Sequence, residues 1–289
     1  LAEMNENQNK VLLAPLLIVG SPRSGTTWLQ KMLLESPSIC GGQESYFYSI
    51  FHPAFKSVAD REDPRRVGLS TYWTIDAFNE QMQQVWINTF KKSLEAKPKA
   101  SLLLDKTPFH ALYLDEINRF LPNAKFIHII RDSRAVTASL IAAAKSWGHY
   151  WAPNDTKKAA LEWYRHVKYA REAKIAQNSQ HYLEVHYEDL MVEPLAVLKK
   201  VMEFAGINFE KDELEQIIIK HQFDKAKKTN CSVPLNQEIS YIEPQGFFRK
   251  GQIDTWKSDL SFYQKIVVWR YTRKMMHQCG YNWNGRVNR

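Results

Sequence analysis

Apolar residues gather in short runs at residues 16–19, 100–106, 124–130 and 182–186, each closed by polar or turn-forming residues. Short runs this rich in apolar residues predict buried strands. Between them the period changes to that of helices. From Thr26 the apolar positions are Trp28, Leu29, Leu33 and Leu34; over residues 75–94 they are Phe78, Met82, Val85, Trp86 and Phe90. Residues 113–121 predict a short helix stopped by Pro122, and residues 135–145 and 156–176 predict two more, the first capped by Ser133. After the last strand, residues 194–205, 212–221 and 259–278 read as helices. Residues 1–10 are polar and read as a frayed, flexible start, which leaves residues 11–289 as one domain. Residues 36–51 are rich in turn formers, residues 53–73 have no clear period, and residues 223–245 form a long polar connection.

Strands alternating with helices predict an α/β fold, a single domain with a mainly parallel central sheet flanked by helices. Such sheets bind ligands beyond the C-terminal ends of their strands. Arg23, Lys106, Arg131 and Tyr187 all fall just past predicted strand ends, so the pattern points to one convergent anionic site.

The stretch Val19-Gly-Ser-Pro-Arg-Ser-Gly-Thr-Thr-Trp28 carries the strongest signal. A strand, a glycine loop and a helix aim backbone N–H groups and a helix N-terminus at one spot, which favours a phosphate-like anion. Gly20 and Gly25 have the spacing of the P-loop NTPase motif, but Thr26 stands where that motif has its Lys, followed by Thr27. The loop's cation is Arg23 instead, which suits a different anion.

Composition narrows the function classes. The chain has 289 residues, 44% hydrophobic and 24% charged, as in ordinary globular proteins. Its longest apolar run, residues 11–19, contains Pro15 and is too short to span a bilayer; it also lacks the flanks of a signal peptide. The chain begins without Met, as an excised domain of a larger protein would. Cys40, Cys231 and Cys279 are too few and too far apart for a disulfide framework or a zinc site, which suits a reducing, cytoplasmic setting. The net charge of +8 favours anionic ligands, and no basic–aromatic motif accompanies it to suggest nucleic acid.

At these residues the chain resembles the sulfotransferases that use 3′-phosphoadenosine 5′-phosphosulfate (PAPS) and release adenosine 3′,5′-bisphosphate (PAP). Pro22-Arg-Ser-Gly-Thr-Thr-Trp28 is similar to the family's loop for the 5′-phosphosulfate; Arg131 and Ser139 resemble its 3′-phosphate pair. Tyr187-Glu-Asp-Leu190 resembles the block after the family's fourth strand, and Phe247-Phe248-Arg249-Lys250-Gly251, followed by Trp256-Lys257, resembles its late loop over the 3′-phosphate. The resemblance implies a metal-free site in which Arg23, Ser24, Gly25, Thr26 and Thr27 hold one end of the cofactor. Arg131, Ser139, Phe248, Arg249, Lys250 and Gly251 hold the other, with Trp28 and Tyr187 against the adenine. Lys106 and Arg23 would stabilise the leaving phosphate. The cytosolic branch follows its strand-end Lys with Thr-His, but this chain reads Lys106-Thr107-Pro108. It is closer to the branch with a glutamate base, for which Glu44 fits, with His110 as the rival and His52 and His149 behind it. Cys40 lacks the cysteine partner of the protein-tyrosine enzymes. The implied acceptor is a small-molecule or carrier-bound hydroxyl or amine, an acyl or polyketide-type alcohol or a glycan. Competing readings are a P-loop nucleotide kinase, whose magnesium would need Asp105 or Asp132, and a non-catalytic PAP-binding module.

Overall fold

The computed structural model describes residues 6–59, 67–222, 244, 247 and 251–287. Its centre is a five-stranded parallel sheet of β1 (Leu16–Gly20), β2 (Ile39–Gly41), β3 (Leu102–Lys106), β4 (Lys125–Ile130) and β5 (Tyr182–His186), in the spatial order β2-β3-β1-β4-β5. Successive strand residues face opposite layers, so the inner strands carry apolar residues towards both sides. Leu17, Val19, Leu103 and Phe126 pack towards α1 (Glu6–Leu13), α3 (Phe47–Ala59) and α4 (Ile75–Ala96). Leu16, Ile18, Leu104, Ile127 and Ile129 pack towards α2 (Thr26–Leu33), α9 (Pro194–Ala205) and α10 (Lys211–Lys220).

Between these lie α5 (Leu114–Phe120), α6 (Ser133–Ala144), α7 (Thr156–Glu172) and α8 (Tyr187–Val192). The C-terminal part holds α11 (Trp256–Asp259), α12 (Phe262–Gln278) and a two-stranded hairpin, β6 (Tyr281–Asn282) with β7 (Gly285–Arg286). A further apolar cluster around Ile130, Leu140, Trp163 and Met276 joins α6, α7 and α12. The predicted α/β architecture is therefore present, in the predicted order.

The sheet's connections run towards β2 on one side of β1 and towards β5 beyond β4. The switch point thus lies between β1 and β4, the place where doubly wound sheets open a crevice. The loops leaving those strands carry Arg23 and Arg131.

Some elements depart from the sequence pattern. Part of the polar start is helical, because Leu12 is fully buried and the Trp86 indole donates to its carbonyl at 2.8 Å. Burying one leucine is worth about 1.5–3 kcal/mol, enough to order a short helix against the core. The turn-rich stretch holds the edge strand β2, paired Ile39↔Leu102, Cys40↔Leu103 and Gly41↔Leu104. A three-residue strand is too short for any period to reveal. It is fixed from below by Lys97, whose ammonium donates to the carbonyls of Leu34 at 2.5 Å, Ser36 at 3.2 Å and Ile39 at 3.0 Å. Helix α3 runs through Pro53, which removes one N–H from its ladder and hid the helix in the sequence. Asp132, not Ser133, caps α6: its carboxylate accepts the Arg134 N–H, while Ser133 bonds Thr272 at 2.9 Å. The long helix predicted to 176 ends at Glu172, and a 3-10 turn, Lys174–Gln177, follows.

Candidate active site

The loop after β1 is shaped by sterics before chemistry. Gly25 has φ +97°, and a Cβ there would lie 2.5 Å from the Tyr187 ring. Glycine alone therefore lets the loop lie on Tyr187 and enter α2. No side chain caps that helix and its first turn holds no acid, so its leading amides face the crevice with their positive dipole end. Ser24 is fully buried and its hydroxyl has no partner among the described residues. Thr26 is buried beside it and Thr27 is half-buried.

The cations converge on this loop. Arg23, at φ 73°, donates from Nε to Ser139 Oγ at 3.1 Å and from Nη2 to the Phe247 carbonyl at 2.5 Å. Its guanidinium lies 4.7 Å from the Phe247 ring centroid and 5.2 Å from that of Trp147. Arg131 donates to the Arg23 carbonyl at 3.2 Å and rests 4.1 Å above the Tyr187 ring. Its Nη2 lies 3.5 Å from the Gln252 carbonyl, and its buried Nε has no partner among the described residues. The sequence separated Arg23 from the Arg131–Ser139 pair; the structure joins all three in one network.

Behind Arg131 stands a buried support that the sequence did not announce. Arg134 forks onto Asp132, at 2.9 Å and 2.6 Å, and donates to the carbonyls of Asn282, at 2.9 Å, and Trp283. The Trp256 ring covers it at 3.7 Å. Glu188 accepts the Asp132 N–H at 3.0 Å and the Tyr281 O–H at 2.6 Å. Burial raises the Glu188 carboxyl above the usual range, against these bonds. Trp256 of the late motif thus braces Arg134, and its neighbour Lys257 is exposed and paired with Asp254 at 2.7 Å. A lone Arg four residues past a strand, with aromatic residues far along the chain, gave no usable signal.

Trp28 and Tyr187 meet edge to face at 6.1 Å. The Trp28 indole donates to the His221 carbonyl at 2.9 Å, tying α2 to the end of α10. Tyr187 lies between Gly25 and the Arg131 guanidinium. Both rings are buried, so in this arrangement they support the loop and its arginine rather than offer an open face to an adenine. Phe248, Arg249 and Lys250 lie outside the described residues; Gly251 is described, at φ +57°.

On the other side of β1, Lys106 ends β3 and Glu44 lies against it in a direct ion pair. The lysine side chain is 4% exposed and the glutamate 27%, so solvent reaches the pair from the Glu44 side. Gln30 donates to the Gly42 carbonyl at 2.7 Å and holds the Glu44 loop to α2. Gly41 is required there, because a Cβ would lie 2.4 Å from the Leu104 carbonyl. Cys40 is a free, buried thiol opposite Leu103, and burial pushes it up to about 11.

The histidine rivals fall away. His110 is fully buried, and its Nδ1 lies 3.4 Å from the Asp105 carboxylate, too far for a well-formed bond. Burial holds it down at about 3, so the ring is neutral and enclosed, away from the solvent that reaches Glu44. His52 packs on Tyr113 and the exposed His149 lies near the Ser146 carbonyl. Of the aromatic residues in these loops and helices, Phe47 and Tyr48 are core, Tyr72 and Tyr150 are largely exposed, and Trp147 stands at Arg23. The two candidate magnesium carboxylates are engaged: Asp105 by Ser45 and Thr107, Asp132 by Arg134. Among the described residues no His, Cys, Asp and Glu group could hold a metal, and no helix is long and apolar enough to cross a membrane.

Fold and site together define an α/β protein with a strand–glycine loop–helix turn and two converging arginines at the switch point of a parallel sheet. The profile described as the sulfotransferase family matches residues 15–211, and the chain belongs to that family, as a sulfotransferase enzyme. It is 26% identical over 251 residues to a putative protein-tyrosine sulfotransferase of Caenorhabditis briggsae, covering 83% of this chain and 80% of the relative. It is 24% identical to sulfotransferase 1C2 of Rattus norvegicus, covering 86% and 78%. Of protein-tyrosine sulfotransferase A from Caenorhabditis elegans, 27% identical over 71% of this chain, it spans 54%. Among solved structures, mouse sulfotransferase SULT7A1 complexed with PAP superposes with a TM-score of 0.59 at 18% identity, covering 95% of this chain and 93% of that one. The sulfotransferase domain from the curacin biosynthetic pathway gives 0.57 at 20%, covering 91% and 97%. At these identities the two structures establish the shared fold.

Proposed function

We propose that the chain moves the sulfuryl group of PAPS to a hydroxyl acceptor, with Glu44 as general base and Lys106 as the cation at the leaving phosphate. The observation that carries this reading is the ion pair of Glu44 with the buried strand-end Lys106, one strand away from the Arg23 loop. PAPS supplies an activated sulfuryl group on a phosphate that leaves as an anion.

The residues present fit such a cofactor. The buried Ser24 hydroxyl and Arg131 Nε await partners among the described residues, and the open N-terminus of α2 needs an anion. Ser24 and the amides of Gly25, Thr26 and Thr27 would hold the phosphosulfate end. Arg131, Ser139 and Arg23 would hold the 3′-phosphate, with Arg as a planar fork for phosphate oxygens. Lys106 would let go of Glu44 when the cofactor binds and turn to the bridging oxygen. Glu44, freed on the solvent side, would take the acceptor's proton.

Arg131→Ala is expected to weaken PAP binding by about 1.5–3 kcal/mol, the scale of a hydrogen bond to a charged group. Calorimetry checks this; unchanged affinity removes Arg131 from the cofactor site. The acceptor is sought by incubating the protein and radiolabelled PAPS with phenols, acyl alcohols, glycans and tyrosine peptides. Labelled product from the wild type but not from Glu44→Gln supports the reading. A nucleotide kinase activity with ATP and magnesium would replace it.

A further inference from the structure

We infer that Asp105 is a positioning residue for the Glu44 base, acting through Ser45 and Thr107; this rests on the assignment of Glu44 above. Asp105 is the residue before the strand-end lysine and is 1% exposed. A carboxylate so deep in a sheet is costly unless its bonds do something for the protein. Its bonds go to the Glu44 loop. Oδ2 accepts the Ser45 hydroxyl at 2.8 Å and Oδ1 accepts the Ser45 N–H at 3.3 Å. Thr107 Oγ1 accepts the N–H groups of Ser45 at 3.1 Å and of Tyr46 at 3.3 Å, and itself lies 3.3 Å from both Asp105 oxygens. Ser45 Oγ in turn accepts the Phe47 N–H at 3.2 Å, where α3 begins.

The backbone held this way is strained. Tyr46 sits at φ 50°, a left-handed conformation that a non-glycine residue adopts at a cost. The turn reverses the chain between Glu44 and α3 and leaves Glu44 facing Lys106. The acceptors beneath Ser45 and Tyr46 hold that turn against its strain. The strand end thus sets both partners of the ion pair: Lys106 directly, Glu44 through Asp105.

The clamp has an acid sensitivity. The groups facing Asp105 are Ser45, Thr107, Lys106, Glu44 and, at 3.4 Å, the neutral His110. Burial raises the Asp105 carboxyl from 3.8 to about 6, against the lowering effect of Ser45 and Lys106. Protonation turns one carboxylate oxygen into a donor and weakens what Asp105 accepts from the Ser45 O–H and N–H groups, so the clamp weakens as pH falls through about 6. The stability effect has the opposite sign. Between 3.8 and about 6 the folded protein holds this proton more tightly than the unfolded chain, so stability falls as pH rises through that window. A residue kept for stability alone would not behave so.

The test uses the full chain with Asp105→Asn, Ser45→Ala and, for calibration, Glu44→Gln. Three quantities are read: amide exchange over residues 43–48, PAP affinity, and turnover of radiolabelled PAPS as label lost from the nucleotide, across pH. Asp105→Asn and Ser45→Ala are expected to speed exchange at Ser45 and Tyr46. Turnover should fall by about tenfold to a hundredfold, the cost of a misplaced catalytic group, with PAP affinity within about threefold. In Asp105→Asn the acid limb should also move below the wild-type midpoint, and the melting temperature should fall less steeply than in the wild type as pH rises between 3.8 and about 6. Unchanged turnover in both variants, or an unmoved acid limb, overturns the inference. If Glu44→Gln keeps wild-type turnover, the base assignment fails instead, and the exchange rates still decide whether Asp105 orders the loop.

Discussion

Glu44→Gln is expected to cut kcat by at least about a hundredfold, the lower end for loss of a general base. PAP affinity should stay within about a factor of three, under 1 kcal/mol. The amide keeps the size and shape of the carboxylate but cannot take a proton, so the loss isolates proton transfer. Glu44 is well placed for it: its side chain is 27% exposed, while Lys106 beneath it is 4% exposed. His110→Ala is the paired control. Removing a fully buried ring opens a cavity, so a lower melting temperature is expected, with kcat per folded molecule largely kept. A collapse of turnover in His110→Ala alongside an active Glu44→Gln would reverse the assignment.

Lys106→Ala is expected to lower kcat far more than it weakens PAP binding. Charge on the bridging oxygen grows only as the sulfur–oxygen bond breaks, so the lysine's contact strengthens in the transition state. Removing one such preorganised donor costs about a hundredfold to a thousandfold in kcat. The ion pair sharpens the expectation. In the free protein Lys106 is held by Glu44, and PAP must compete for it, which keeps the lysine's contribution to ground-state binding small. The alanine also leaves Glu44 without its cation, so the double variant Lys106→Ala/Glu44→Gln should lose less than the product of the single losses. Equal losses in PAP affinity and kcat/KM, with kcat untouched, would make Lys106 an anchor only.

Much of this was legible in the sequence, for physical reasons. Strands with layers on both faces are rich in apolar residues, so the runs at Leu16, Leu102, Phe126 and Tyr182 announced themselves and their order announced a parallel sheet. Gly20 and Gly25 marked the tight turn between the first strand and its helix, and that turn is present with Arg23 in it. What stayed hidden depends on contacts between distant residues. The strand Ile39–Gly41 exists because of its partner Leu102–Leu104 and the lysine at Lys97, neither visible in three residues. Asp105 read as a strand-end acid, and only the fold brings Ser45 onto it. Arg134 looked like an ordinary helix residue until Asp132, Trp256 and the hairpin at Asn282 closed around it. His110 was a rival base by its spacing from Lys106, and its full burial could not be read from that spacing.

The most direct measurement of the central claim is calorimetric titration of PAP into the wild-type chain, once with magnesium and once with excess chelator. If Arg131, Arg23, Ser24 and the open end of α2 neutralise the nucleotide, both titrations give the same saturable binding at one site, and Arg131→Ala weakens it equally in both. Binding that vanishes in chelator and returns with magnesium would contradict the account, because the cations gathered at this loop would then not be what holds the phosphates.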